Sequence, residues 1–210
     1  MPAPSWFLDV SRVGLWLGAR ALFRIRYQGV EHVPRSGPVL VTPNHVSYMD
    51  PVIVSIPIRR PLHYLTLEEF FHVPAFGPLI RWLRAFPVDN SGVDSRAMRR
   101  GIRILRAGEP LMIFPEGRRS VDGRPGRFVP GVFRLGLVAE VPVVPVTIAG
   151  GFEAWPIHRR LPRPHPVTIT FHPAITGKDL PHTADRRTRS QLMADLVRRQ
   201  IEEALPSAHR

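Results

Sequence analysis

Short apolar runs, each closed by proline, glycine or a polar cluster and mostly followed by a helical pattern, limit what this chain can fold into. Val39-Leu40-Val41, His63 to Leu67, Phe86 to Val88, Leu111 to Phe114 and Val167 to Phe171 have the length and composition of strands. Phe23 to Val30 reads as a further strand. Val141 to Ile148 is extended too, because its two prolines forbid a helix. Between these runs, Pro51 to Ile56, Pro78 to Arg84, Ser95 to Ala107 and Pro130 to Ala139 read as helices, and Thr183 to Leu205 as a long closing one. Pro51 suits a first helical position, with Asp50 before it as the cap. Strands alternating with helices predict a single α/β domain with a mostly parallel central sheet flanked by helices.

The length of 210 residues fits one such domain and buries a self-sufficient core. The 24 prolines mark many short connections, and Trp155 to Pro166 forms one long Pro-rich loop suited to function. Cysteine is absent, which excludes disulfides, thiolate metal sites and a cysteine nucleophile. The histidines outside His45 are scattered without ligand spacing, so no metal is expected. A formal net charge of +12 suits an anionic partner such as lipid or nucleic acid. Lys178 is the single lysine, and an arginine preference of that kind also follows from codon bias, so charge alone is a weak guide.

No apolar run reaches the 18 or so residues of a membrane-spanning helix. The longest, Trp6 to Phe23, is broken by Asp9, Arg12 and Arg20, and it lacks the basic start of a signal peptide. On a helical wheel Asp9, Arg12, Arg20 and Arg24 share one side. Phe7, Leu8, Val10, Leu15, Leu17, Ala21 and Leu22 spread over the other, with Trp16 and Phe23 near the charged edge. Residues 1–24 therefore read as an amphipathic, membrane-associating helix ahead of a domain over 25–210. A core-packing first helix is the competing assignment.

Two polar segments carry chemistry. In Asn44-His45-Val46-Ser47-Tyr48-Met49-Asp50, a histidine at a strand end and an aspartate five residues on can meet. The carboxylate would then fix the tautomer of the ring and stabilise the imidazolium formed on proton abstraction. Phe114-Pro115-Glu116-Gly117-Arg118-Arg119-Ser120 empties an apolar strand into a turn whose guanidinium groups and hydroxyl suit phosphate. Taken singly, each segment also has a bland reading, as a cap or as a solvated basic turn. Ser47 as a nucleophile is the weaker alternative, since no Gly-x-Ser-x-Gly elbow surrounds it.

The order Asn-His-x-x-x-x-Asp, then Phe-Pro-Glu-Gly-x-Arg-Ser, then Val-Pro-Val-Val-Pro-Val resembles the glycerolipid acyltransferases over roughly residues 20 to 175. Among them, it resembles the bacterial 1-acyl-sn-glycerol-3-phosphate acyltransferases, which make phosphatidic acid. The resemblance implies that His45 and Asp50 are catalytic, and that Glu116, Gly117 and Arg119 help bind the phosphate-bearing acceptor. It further implies a lysophospholipid acceptor, a thioester donor on coenzyme A or acyl carrier protein with no other cofactor, and peripheral attachment to the cytoplasmic side of an anionic cell membrane. Departures bear on the phosphate. Asn90 stands where the family usually has Arg, Arg118 where Thr is usual, and Val129 where relatives often carry Lys; Arg118 can supply the missing cation. A phosphate-free acceptor therefore stays open. So does a different class altogether, a non-catalytic basic protein on membrane or nucleic acid, although it leaves both motifs unexplained and no specific nucleic-acid partner is expected.

Overall fold

The computed structural model describes residues 5–74, 76–88 and 95–209, apart from the side chains of 5–12, 76 and 208. Strands β1 (Arg26–Gln28), β2 (Val39–Pro43), β3 (His63–Leu67), β4 (Ala85–Val88), β5 (Pro110–Met112), β6 (Val143–Ala149) and β7 (Thr168–Phe171) form one sheet in the order β1-β7-β6-β2-β5-β3-β4. Five of them are parallel; β7 runs antiparallel to β6, and β1 follows β7. The helices are α1 (Ser5–Phe23), α2 (Asp50–Ser55), α3 (Phe76–Trp82), α4 (Ser95–Arg106), α5 (Pro130–Ala139), α6 (Gly151–Ala154) and α7 (Arg186–Ala204). This is the α/β architecture expected from the alternation.

The sheet's two faces carry two cores. Val39 and Val41 point to one side with Met112, Val144, Val146, Ile148 and the inner face of α2. Leu40 points to the other with Leu111, Val143, α4, α5 and α7. Alternating side chains with both faces covered explain why every residue of β2 is buried, as a central parallel strand requires. Proline is rare in such a strand because it lacks a ladder donor. Pro145 nonetheless sits in β6, and its carbonyl accepts the His172 N–H at 2.9 Å.

Two of the boundaries that differ from the sequence reading have a clear physical reason. Only Arg26–Gln28 of the expected Phe23 to Val30 strand forms a ladder, because β1 is an edge strand paired on β7 alone. Asp50 is the first residue of α2 instead of its cap; Met49 occupies the cap position and makes no side-chain cap bond. The Asp50 carboxylate turns back into the preceding loop.

The parallel strands all end on one side of the sheet, and so does the helix α1 that feeds β1. Register fixes this, since Arg26 lies opposite Thr168, and Thr168 opposite Ala149 at the end of β6. In α1, Ala19 and Phe23 are buried, whereas Val13, Leu15, Trp16, Leu17 and Leu22 are exposed. The Arg20 guanidinium lies over the Trp16 ring at 5.3 Å. Among the described residues, no helix is long and apolar enough to cross a membrane.

Two half-buried histidines make stability depend on pH. Burial, and then the charge of Arg84, lower His63 below the ordinary value of 6.5. Burial, and then the charge of His32, lower His172, whose Nε2 lies 2.7 Å from Thr147 Oγ1. A depressed folded pKa gives stability that is complete above the unfolded value and lost as pH falls through the folded one. The melting midpoint should therefore fall as pH drops below about 6.5. His172→Gln should flatten that fall in scanning calorimetry; a slope unchanged by the substitution would remove His172 from the account.

Candidate active site

The site is assembled where β2, β5 and β6 end. Asn44 follows β2 and is fully buried, so its amide needs partners. Ile148 of β6 supplies both, donating its N–H to Oδ1 at 2.7 Å and accepting from Nδ2 at 3.1 Å. This clamp sets where the next residue, His45, leaves the sheet. The His45 backbone is held on both sides by the second segment: its N–H donates to Glu116 Oε1 at 2.8 Å, and its carbonyl accepts the Ser120 N–H at 2.7 Å. The ring stacks on Phe114, with centroids 3.9 Å apart and planes 21° apart.

Asp50 completes the pair. Its side chain is wholly buried, and Oδ2 accepts the N–H groups of Val46 at 2.7 Å and Ser47 at 2.8 Å. The same oxygen lies 2.8 Å from His45 Nδ1. An oxygen that already accepts two N–H groups is an acceptor here too, so Nδ1 carries the proton and Nε2 presents its lone pair. The His45 side chain is 15% exposed, against 0% for Asp50. That is the arrangement of a general base with a buried orienting carboxylate. Close packing of α6 behind the loop requires glycine: a Cβ on Gly151 would lie 2.9 Å from Val46 and from Ile148.

Glu116, expected among the acceptor-binding residues, has both oxygens engaged by backbone. Oε1 takes the His45 N–H, and Oε2 takes the Gly126 N–H at 2.7 Å. Burial raises its pKa, opposed by those two hydrogen bonds. Its place in the structure is that of a strut between the His45 loop and the turn that follows. Gly117 is exposed at φ 70, a left-handed conformation that favours glycine, and its N–H closes a turn onto Phe114. Arg119 lays its guanidinium 4.0 Å over the Tyr48 ring and joins the two segments. Its Nε is buried without a hydrogen-bond partner among the described residues. Arg118 is exposed.

Beside them opens a basic cleft of about 750 Å³ walled by Arg118, Arg119, Ser120, Arg124 and Arg127, with Glu116 also in its lining. Glu116 and Ser120 are the two residues bonded to the His45 backbone, so cleft and imidazole share a framework. Arg124 and Arg127 were not singled out from sequence; the signal was four arginines within ten residues of a Gly- and Pro-rich turn. Ser47 is fully buried and its hydroxyl accepts the Met49 N–H, which closes it to a substrate. Asn90 lies outside the described residues.

The acyltransferase family model matches residues 24–149, which span both segments and six of the seven strands, β1 to β6. The chain belongs to this acyltransferase family. A 1-acyl-sn-glycerol-3-phosphate acyltransferase of Pseudomonas aeruginosa is 28% identical over 169 residues, 78% of this chain and 64% of that one. The chloroplastic enzyme of the same description from Brassica napus is 26% identical over 187 residues, 87% of this chain and 51% of that one. The chain thus spans between about half and two thirds of the length of these two relatives. The crystal structure of the 1-acyl-sn-glycerophosphate acyltransferase PlsC from Thermotoga maritima superposes with a TM-score of 0.75 at 26% identity, covering 95% of this chain and 80% of PlsC.

Proposed function

We propose that this acyltransferase moves a fatty acyl group from a thioester, on coenzyme A or acyl carrier protein, to the free hydroxyl of 1-acyl-sn-glycerol-3-phosphate. The product is phosphatidic acid. The observation that carries this reading is the 2.8 Å His45–Asp50 pair, framed by the same residues that wall a basic cleft.

Nε2 of His45 takes the hydroxyl proton as the oxygen attacks the thioester carbonyl, and Asp50 stabilises the imidazolium. Collapse of the tetrahedral intermediate breaks the C–S bond, and the thiolate leaves with the proton held on Nε2. The ester C–O bond is formed and the free thiol released. Since the thioester is already activated, one general base suffices and no acyl-enzyme is needed. Arginine forks in the cleft hold the acceptor's phosphate, with Arg119 fixed in the cleft wall by its stacking on Tyr48. On this reading the protein works peripherally on the cytoplasmic face of the membrane that holds its acceptor. The exposed apolar residues of α1 and the net charge of +12 support that placement.

The test is a panel of acceptors with labelled acyl-coenzyme A and labelled acyl carrier protein, and Arg119→Ala sharpens it. A lost charge-assisted contact costs about 1.5–3 kcal/mol. The lysophosphatidate KM should therefore rise roughly ten- to a hundredfold, with the donor KM nearly unchanged. A raised donor KM with a constant acceptor KM would assign Arg119 to the thioester instead.

A further inference from the structure

The Pro-rich segment between α6 and β7 has no role in the chemistry above, yet it is a built structure. Its neck is closed by Arg163, whose N–H donates to the Ala154 carbonyl at 2.9 Å and whose Nε donates to the Glu153 carbonyl at 2.5 Å. Inside the loop the Arg159 N–H reaches the Pro156 carbonyl at 3.1 Å, and Trp155 Nε1 reaches the Arg159 carbonyl at 3.1 Å. A compact loop held by its own contacts keeps its tip fixed. That tip carries Ile157, Arg159, Arg160 and Leu161, and Leu161 is 74% exposed.

One side of the loop touches the catalytic segment and the other the root of α1. Tyr48 donates its hydroxyl to the Ile157 carbonyl at 3.2 Å, and its ring lies 5.6 Å from that of Trp155. Tyr48 is the residue on which Arg119 lies. At the exit, the Val167 N–H donates to the Phe23 carbonyl at 2.9 Å, and the Val167 carbonyl accepts the Arg26 N–H at 3.0 Å. The loop therefore bridges the mouth of the site and the amphipathic helix.

A single exposed leucine means nothing. Here the distribution is one-sided. Apart from Val73 and Leu79, every exposed large apolar side chain among the described residues lies on α1 or on a segment at the end of the sheet where His45 sits. Val121 belongs to this set and is also 74% exposed. Cations are interleaved with them, with Arg159, Arg160 and Arg163 around Leu161 and Arg118 and Arg124 beside Val121. Apolar tips among arginines, on the face that holds the catalytic pair, complement a surface that is anionic outside and apolar a few ångströms down.

We propose that the loop from Trp155 to Arg163 is a second membrane-docking element. Leu161 and Ile157 enter the boundary between headgroups and acyl chains of an anionic bilayer, and Arg159 and Arg160 pair with lipid phosphates. With this loop between α1 and the site, the mouth beside Tyr48 faces the lipid from which the acceptor comes. The proposal rests on the reading of the acceptor as a bilayer lipid.

The absence of cysteine makes the test direct, because one introduced thiol carries a polarity-sensitive fluorophore alone. Leu161→Cys reports from the tip. Ser36→Cys, exposed in the turn before β2 at the opposite end of the sheet, is the control. On vesicles containing phosphatidylglycerol, the label at 161 should shift to the blue and be quenched by lipids brominated on their acyl chains, while the label at 36 should not. A chain carrying R159S, R160S and L161S should partition onto these vesicles roughly tenfold or more weaker. Its turnover of a short-chain, water-soluble lysophosphatidate should be unchanged. Wild-type binding to vesicles with an aqueous signal at 161 would overturn the proposal and leave α1 as the anchor. A blue shift produced only by acyl carrier protein would overturn it in favour of a protein-docking loop. Absence of turnover on the soluble acceptor would instead count against the acyltransferase reading, independently of docking.

Discussion

The His45→Ala protein should keep its circular dichroism and transfer acyl groups about 10²–10⁴-fold more slowly, the usual contribution of a positioned general base. The backbone N–H and carbonyl of residue 45, which link the two motif segments through Glu116 and Ser120, survive the substitution. The part-exposed ring, its stacking on Phe114 and its bond to Asp50 are lost, but the Asp50 oxygen keeps the Val46 and Ser47 N–H groups. A collapse of turnover without a collapse of structure is the expected result, read as kcat under saturating substrates beside a thermal melt. Wild-type turnover in a folded variant would remove His45 from the mechanism.

Asp50→Asn should cost a comparable factor, of order 10²–10⁴, for a different reason. Asparagine can still accept the Val46 and Ser47 N–H groups through its carbonyl oxygen, so the loop keeps an acceptor. It provides no negative charge for an imidazolium, and its NH₂ group can turn toward Nδ1 and favour the wrong tautomer. Replacing a charged acceptor by a neutral one should lower stability by about 1–3 kcal/mol, leaving the chain folded. Asparagine caps a helix as well as aspartate does, so a variant with full activity would make Asp50 a structural residue. The position of the carboxylate already argues otherwise, because its oxygen faces the histidine loop instead of the first turn of α2.

Both results follow from a local motif that could be read in one dimension. Asn44 to Asp50 is a polar island between buried strand and helix, and within seven residues few positions allow a histidine and a carboxylate to meet. The parallel sheet was legible for a similar reason, since β2, β5 and β6 are runs whose apolar character survives on both faces. What escaped depends on returns of the chain. Whether Asp50 caps α2 or grips the loop before it is decided by the path of residues 45–47, and either use needs the same residue type. Glu116 finds its partners 71 residues upstream and 10 downstream, through backbone N–H groups that no side-chain pattern marks. Arg124 and Arg127 join the cleft because the turn folds back at Gly126. The end of α1 meets the active-site side of the sheet only because β1 pairs with β7, a register invisible in a three-residue strand.

Phosphatidate formation by the purified chain is the decisive quantity. Labelled acyl-coenzyme A or labelled acyl carrier protein is supplied with 1-acyl-sn-glycerol-3-phosphate, and labelled phosphatidate and free thiol are counted together for wild type and His45→Ala. The mechanism requires equal amounts of the two products, strict dependence on the lysolipid, and a loss of about 10²–10⁴-fold in the variant. Thiol release without the lysolipid, or phosphatidate made equally well without the His45 imidazole, would contradict it.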